Sequence, residues 1–213
     1  MKPIQNAGGH VGCTARPYPI AYNTAIVEGA VVKLASGLVA KPDAANTAAI
    51  LGIAAENHPG TADALNARAN GTDILVYDNP ELIFECKAPT FEASGGSATT
   101  VTTTTSDVAI TTSNAFVGAY LVSPKGSKRR CTGYSNSTTT NTFTVETGET
   151  AADGDVYTLY PQIGCAAGFA LSTDRDGIIL STSGSTKIKV VGHDFERGMI
   201  MLMAVEHALG VEN

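Results

Sequence analysis

The side chains best suited to chemistry in this chain are four cysteines and four histidines, and their spacing argues against a shared site. Cys13, Cys86, Cys131 and Cys165 lie far apart, with no CxxC pair, no zinc spacing and no dense disulfide pattern. They read as reduced, buried small hydrophobes, which is where free cysteine usually sits. A single disulfide also stays open, with nothing in the spacing to choose the pair. His10, His58, His193 and His207 form no HExxH motif. Asp194 and Glu196 flank His193 and could add metal ligands, but a site needs three or four converging groups. A polar turn ahead of Phe195 is the expectation there. A Cys–His nucleophile would need one cysteine to meet one histidine in space, and no local signature marks any of them.

Glycine and acidic motifs lead to the same place. Gly8-Gly9 and Gly95-Gly96 lack the Lys-Ser/Thr of a phosphate loop and read as turns. Asp153-Gly154-Asp155 and Asp174-Arg175-Asp176-Gly177 lack the further oxygen ligands of a calcium loop and read as turns too. Neither an enzyme nor a bound cofactor or metal is expected. Two stretches suit contact with a partner. Lys128, Arg129 and Arg130, with Lys125 nearby, form the chain's basic cluster. It reads as a solvated hairpin face or, more sharply, as an electrostatic contact with an acidic partner. Arg16-Pro17-Tyr18-Pro19 lies in an N-terminal stretch whose prolines favour extended chain and whose Tyr18, Ile20 and Tyr22 suit an ordered arm laid along a partner. The aromatics Tyr120, Tyr134, Phe143, Tyr157 and Tyr160 read mostly as core, with a sugar-stacking platform as the smaller alternative.

These features sit in 213 residues, long enough to bury a core without disulfides or metals. Only 16% of residues are charged and there is no Trp, against roughly 25% charged in ordinary soluble chains. Thr, Ser, Gly, Asn and Ala must therefore cover the outside, a surface that sheds water easily and suits packing against copies of itself or a partner. The net charge of −6 and pI of about 5.1 exclude a general nucleic-acid binder, which needs a basic face. Residues 2–20 lack the apolar core of a signal peptide, and no apolar run is long enough to span a membrane. A soluble protein made in a cytoplasm is the expectation.

The elements that must position these residues are strands. Val31–Leu34, Leu38–Lys41 and Ile50–Ala55 read as a compact meander around a Ser36-Gly37 turn. Thr61–Asn70 could make one or two helical turns with Thr61 as N-cap. Ile74–Tyr77 and Leu82–Cys86 flank an Asp78-Asn79-Pro80 turn. The composition then shifts to Thr, Ser and Gly, and Ala93–Thr100 reads as a boundary. Beyond it lies a small inserted domain with strands near Ala119–Ser123, Lys128–Tyr134, Thr142–Glu146 and Val156–Tyr160. Phe169–Leu171, Gly177–Leu180, Lys187–Val191 and Met199–Val205 complete the first domain. The expected fold is mainly β: a compact β-barrel or β-meander core (25–92 and 164–213), a smaller inserted β-domain (93–163) and an extended N-terminal arm (1–24).

The run EGAVVKLASGLVAKPDAANTAAILGIAAEN, then ILVYDNPELIFEC, then IKVVGHDF, resembles tailed-bacteriophage head decoration (cement) proteins over about residues 20–90 and 164–205. What the resemblance implies is a β-rich protein on the outside of an assembled capsid, bound to the major capsid protein in several copies, often as trimers, without cofactor, nucleic acid or membrane. The segment ending GDVYTLYP would be an outward-facing insertion. Such a protein would be made in a bacterial cytoplasm and end on the virion exterior. The family has no catalytic residues to transfer. A carbohydrate- or host-surface-binding module, or another virion part such as a tail or fibre protein, is the alternative.

Overall fold

The computed structural model describes residues 2–6, 14–20, 24–41, 50–60, 73–79, 81–105, 108, 113–164, 168–171, 178–181 and 188–204. All regular structure among them is strand, so the fold is mainly β, as expected. The strands before the insertion are β1 (Lys2–Asn6), β2 (Ala15–Pro19), β3 (Ala25–Ile26), β4 (Val31–Ala35), β5 (Leu38–Ala40), β6 (Ile50–Ala54), β7 (His58–Pro59), β8 (Asp73–Tyr77) and β9 (Leu82–Lys87). Six more follow: β10 (Thr90–Ser97), β11 (Thr100–Thr104), β12 (Tyr120–Val122), β13 (Lys128–Asn136), β14 (Thr140–Val145) and β15 (Asp153–Tyr160). The chain returns through β16 (Gly168–Leu171), β17 (Ile178–Ser181), β18 (Ile188–Asp194) and β19 (Met199–Ala204). The expected helical turns at 61–70 lie outside the described residues.

The expected meander is the centre of a five-stranded antiparallel sheet ordered β2-β8-β6-β4-β5. Its hairpin turns on Ser36 and Gly37, at φ of 52° and 82°. A two-residue turn with both φ positive matches the right-handed twist of the strands it joins, and glycine takes the second position without cost. Every residue of β6 is buried, so this strand lies between two cores. Leu51 and Ala54 pack with Ile20, Ile26, Val32, Val39, Ile74 and Val76, while Ile50 and Ile53 join the larger cluster shared with the rest of the molecule. A Cβ on Gly52 would sit 2.0 Å from the Tyr77 carbonyl oxygen, so β8 can lie where it does only because that position is glycine. A parallel bridge from Ile20 to Val39 joins the two edges of the sheet and curls it almost shut.

A second antiparallel sheet, β1-β9-β19-β18, carries the insertion. The chain leaves it after β9 and re-enters at β18, and β9 pairs directly with β19. Between them β10-β11-β14-β13-β12-β15 close into a six-stranded barrel, β15 pairing back onto β10. Period-two alternation fills it: Phe91, Ala93, Val101, Leu121, Cys131, Phe143, Val145, Tyr157 and Leu159 point inward and are buried. A bulge between Cys131 and Gly133 on β13 shifts that alternation, so Tyr134 turns inward as well. Phe116, on the 113–118 turn, reaches into the same core, 4.8 Å from the Tyr134 ring and 5.2 Å from Phe143.

Two expectations are corrected. Residues 93–100 are not a boundary. They are the end of β10, its hairpin turn and the start of β11, and the barrel begins at Thr90. Gly95-Gly96 stay within a strand because a Cβ at Gly96 would come within 2.3 Å of the Thr100 carbonyl oxygen, a close approach only glycine allows. Nor do the described residues of 1–24 form a free arm. β1 pairs with β9, and β2 pairs along its whole length with β8, from Ala15–Tyr77 to Pro19–Asp73. An extended, proline-bearing segment finds edge positions on the chain's own sheets, where the N–H that proline lacks is not needed.

Candidate interaction surface

The residues expected to meet a partner fall on two elements of different bodies. Arg16, Pro17, Tyr18 and Pro19 are on β2, the edge of the five-stranded sheet. Lys128, Arg129 and Arg130 are on β13 of the barrel.

On β2 the polar side chains converge on Asp78, a carboxylate just past β8 that is 3% exposed. Tyr18 donates its hydroxyl to Asp78 Oδ2, and Arg16 Nη1 lies 3.5 Å from the same oxygen. Burial, and then the bond to the Asp78 carboxylate, push the Tyr18 phenol up to about 12. Arg16 keeps its side chain 66% exposed, so its guanidinium faces solvent while holding the ion pair. Pro17 stands opposite Leu75, whose N–H donates to Glu56 Oε1 and whose carbonyl accepts from Ala55 N. Both polar groups of Leu75 therefore face away from β2, and those of Pro17 face outward. With no N–H at positions 17 and 19, the free edge of β2 is a poor template for an added strand.

On β13 the three basic residues diverge. Alternation sends Arg129 into the barrel, where it is 2% exposed. Its guanidinium donates to the Glu149 carbonyl at 2.9 Å and to the Tyr157 hydroxyl at 3.1 Å, and Nε has no partner. Gly148 makes room for this chain, since a Cβ there would meet Arg129 Cδ at 2.6 Å. The expected solvated face is thus broken at its centre, and Arg129 is an internal strut of the barrel. Lys128 is exposed but seated: its ammonium lies 3.9 Å from the Phe195 ring centroid and 4.9 Å from that of Tyr120. Arg130 is exposed on the outer side. Lys125 pairs with Glu149 at 3.5 Å. The Ser123 hydroxyl and then Lys125 hold the Glu149 carboxyl below its usual range.

The remaining candidates are taken up by packing. Burial pushes the Cys86 thiol up to about 12 and the Cys131 thiol up to about 11, which leaves both protonated and poorly nucleophilic. His58 donates Nδ1–H to the Thr24 carbonyl, and His193 donates Nε2–H to the Pro161 carbonyl at 2.6 Å. Among the described residues no three His, Cys, Asp or Glu side chains gather where they could hold a metal. Asp194, beside His193, caps a turn by accepting from Arg197 N, and Arg197 forms a two-pronged pair with Glu85 at 2.9 and 3.0 Å. Tyr134, Phe143, Tyr157 and Tyr160 are buried, and Tyr120 is half-buried against Phe195. Cys13, Cys165, His10, His207, Gly8-Gly9 and the Asp174–Gly177 turn lie outside the described residues.

What the chain offers outward is hydroxyl-rich. The outer face of β11 and β14 sets Thr100 opposite Thr144, Thr102 opposite Thr142 and Thr104 opposite Thr140, a charge-free patch of methyls and hydroxyls. Spacing of threonines at every second position of a Thr-rich run is the sequence signal for such a face.

Compared with protein-family models, with curated proteins and with solved structures, the chain matches none.

Proposed function

We propose that this chain is a structural virion protein that binds the outer surface of a tailed-phage capsid in several copies, as trimers, and stabilises the shell. In this reading it performs no catalysis. The five-stranded and four-stranded sheets form the docking part, touching the major capsid protein, and the inserted barrel faces away from it. The resemblance of residues 20–90 and 164–205 to capsid cement proteins motivates the reading. One observation carries it: the described thiols, imidazoles and inward-facing Arg129 are spent on packing, while the accessible faces carry threonine hydroxyls and scattered charges of both signs, with no cluster of reactive groups among the described residues. Such a surface serves shape and hydrogen bonding better than bond-making. Each contact can be weak, because a symmetric shell engages many copies at once, and binding that favours the assembled lattice stabilises it by mass action.

Contact through side-chain faces fits this molecule better than strand addition at β2, whose outward edge lacks donors at Pro17 and Pro19. Arg16 and Arg130 are the exposed cations for an acidic partner, and Arg129 drops out of that role.

The test is sedimentation of purified protein with mature capsids that lack it. Saturable binding at a fixed number of copies per shell, with a higher temperature of shell disruption, is the expected outcome. Arg16→Glu together with Arg130→Glu should weaken binding at low salt. Failure to sediment with mature shells at about micromolar concentration, where even modest sites gain from multivalency, would overturn the proposal.

A further inference from the structure

The barrel and the four-stranded sheet meet at a seam of aromatic rings. Tyr160 at the end of β15 lies 4.6 Å from Phe195 and 5.6 Å from His193, ring centre to ring centre. His193 and Phe195 are 5.3 Å apart, and Tyr120 of β12 meets Phe195 edge-on at 5.8 Å. Tyr120 and Tyr160 are cross-strand partners on the outer face of the barrel, so both reach the seam from one side. Lys128 lays its ammonium over Phe195 and Tyr120 and closes the box. The 161–164 segment runs along β18, with the Gly164 N–H donating to the Val190 carbonyl.

We infer that His193, set beside Lys128 in this box of rings, makes the joint between the barrel and the four-stranded sheet loosen on mild acidification. The Pro161 carbonyl accepts the Nε2 proton, so a second proton must enter at Nδ1, next to rings already holding a cation. The charged and titratable groups around it are Lys128 on β13, Tyr120 on β12, Tyr160 on β15, and Asp194, Glu196 and Arg197 on its own hairpin. Asp194 is drawn toward Arg197, which it meets at 3.7 Å and whose N–H it accepts. Lys128 therefore opposes protonation while Asp194 is engaged with Arg197. Burial first, with Lys128 adding to it against the opposing pull of the Pro161 carbonyl, holds His193 below the ordinary histidine range. A histidine depressed in the folded state favours folding above its free value and loses that support as pH falls through it toward the folded value. The joint is tight in neutral solution and slackens in mild acid. This holds whatever surface the protein binds.

The experiment is a proton NMR titration of His193 in the full chain, paired with amide hydrogen exchange. His193 should titrate below the free-histidine value of about 6.5, and rise toward that value in Lys128→Met. Moving from about pH 7.5 to about pH 5.5 should speed exchange several-fold at Tyr120–Val122 and Ile188–Asp194, after correction for intrinsic rates. The β11–β14 ladder should not respond, and His193→Gln should abolish the response while keeping a donor toward Pro161. Titration of His193 at or above the free value, no movement in Lys128→Met, or an equal response in His193→Gln or at β11–β14 would overturn the inference. If His193→Gln fails to fold, the Lys128→Met titration decides alone.

Discussion

Two small β bodies in this chain deal with their edges differently. The barrel closes by backbone ladders all the way round, β15 back onto β10, and fills its interior with five rings from Phe91, Phe116, Tyr134, Phe143 and Tyr157. The five-stranded sheet is filled with aliphatics and joins its edges by one parallel bridge, Ile20 to Val39. Its edge strand β2 is further pinned to the neighbouring β8 by Asp78, held by Tyr18 and Arg16. Full closure removes edges and spreads stability over every strand. Closure by one bridge, beside an edge strand pinned by one carboxylate, makes the sheet depend on its N-terminal strand, and leaves that strand as the part a partner could displace.

The comparison breaks most easily at the barrel centre. Phe143 stacks on Phe91 at 5.0 Å and also touches Phe116 and Tyr134. Phe143→Ala, which removes a whole ring, should cost more than Leu51→Ala in the aliphatic sheet, within ranges of about 3–5 and about 2–5 kcal/mol, both read from urea unfolding. Equal losses would show that the ring cluster gives the barrel no advantage. Gly52→Ala comes next, because its Cβ would press into the Tyr77 backbone, which cannot step aside as a flexible side chain would. A loss of about 2–3 kcal/mol is expected, the cost of forced overpacking, with added exchange confined to β6 and β8.

The middle of this architecture is legible in the sequence because its signals are local. Val31–Leu34, Ser36-Gly37, Leu38–Lys41 and Ile50–Ala55 carry their apolar runs and their turn in adjacent residues, and the structure places strands on all three runs. Arg129 is a different case. A run of cations looks solvated, yet alternation through Lys128, Arg129, Arg130 and Cys131 puts Arg129 on the same side as a buried cysteine, and that period-two signal was available. β10 is hidden by Gly95-Gly96, of which Gly96 makes a close backbone contact and neither turns the chain. β2 is hidden by its prolines, which are tolerated at an edge. Of the residues expected to meet a partner, the sequence marks their charge and extension but not that Tyr18 and Arg16 share Asp78, some 60 residues away. The seam at His193 has no local signature, since Tyr120, Lys128, Tyr160 and Phe195 meet only once the barrel has closed.

A smaller effect sharpens the account of the edge strand. Tyr18→Phe removes the hydroxyl donated to a buried carboxylate and leaves Asp78 with Arg16, a loss of about 1–2 kcal/mol. The alkaline limb gives an independent check. Because the folded Tyr18 phenol is raised to about 12, its contribution is fully present below the unfolded value of about 10. It declines as pH rises from there through the folded value. Tyr18→Phe should flatten part of that decline in stability between about pH 10 and about pH 12. Among the described residues Tyr134, pushed up to about 12 by burial inside the barrel, adds to the remaining decline, with Tyr157, Tyr160 and the buried thiols of Cys86 and Cys131, all raised by burial. An unchanged alkaline profile would mean that the Tyr18–Asp78 contact does not hold the edge strand in solution.

The gentlest probe leaves the described core residues in place and compares opening rates instead. With Cys13 and Cys165 replaced by serine, Cys86 reports on the four-stranded sheet and Cys131 on the barrel. Both thiols are raised by burial, so alkylation at about pH 8 proceeds through transient exposure rather than through a standing thiolate. Cys86 is 8% exposed and sits one strand in from the open edge at β1, whereas Cys131 is 1% exposed between two paired neighbours of a closed ring. Reaching Cys131 requires breaking ladders that have no free end from which to fray. Its labelling should therefore be slower by about tenfold or more, the spread expected between local and near-global opening. Equal rates would mean that the barrel opens as readily as an open sheet, and that closure in this molecule shapes the surface without stiffening it.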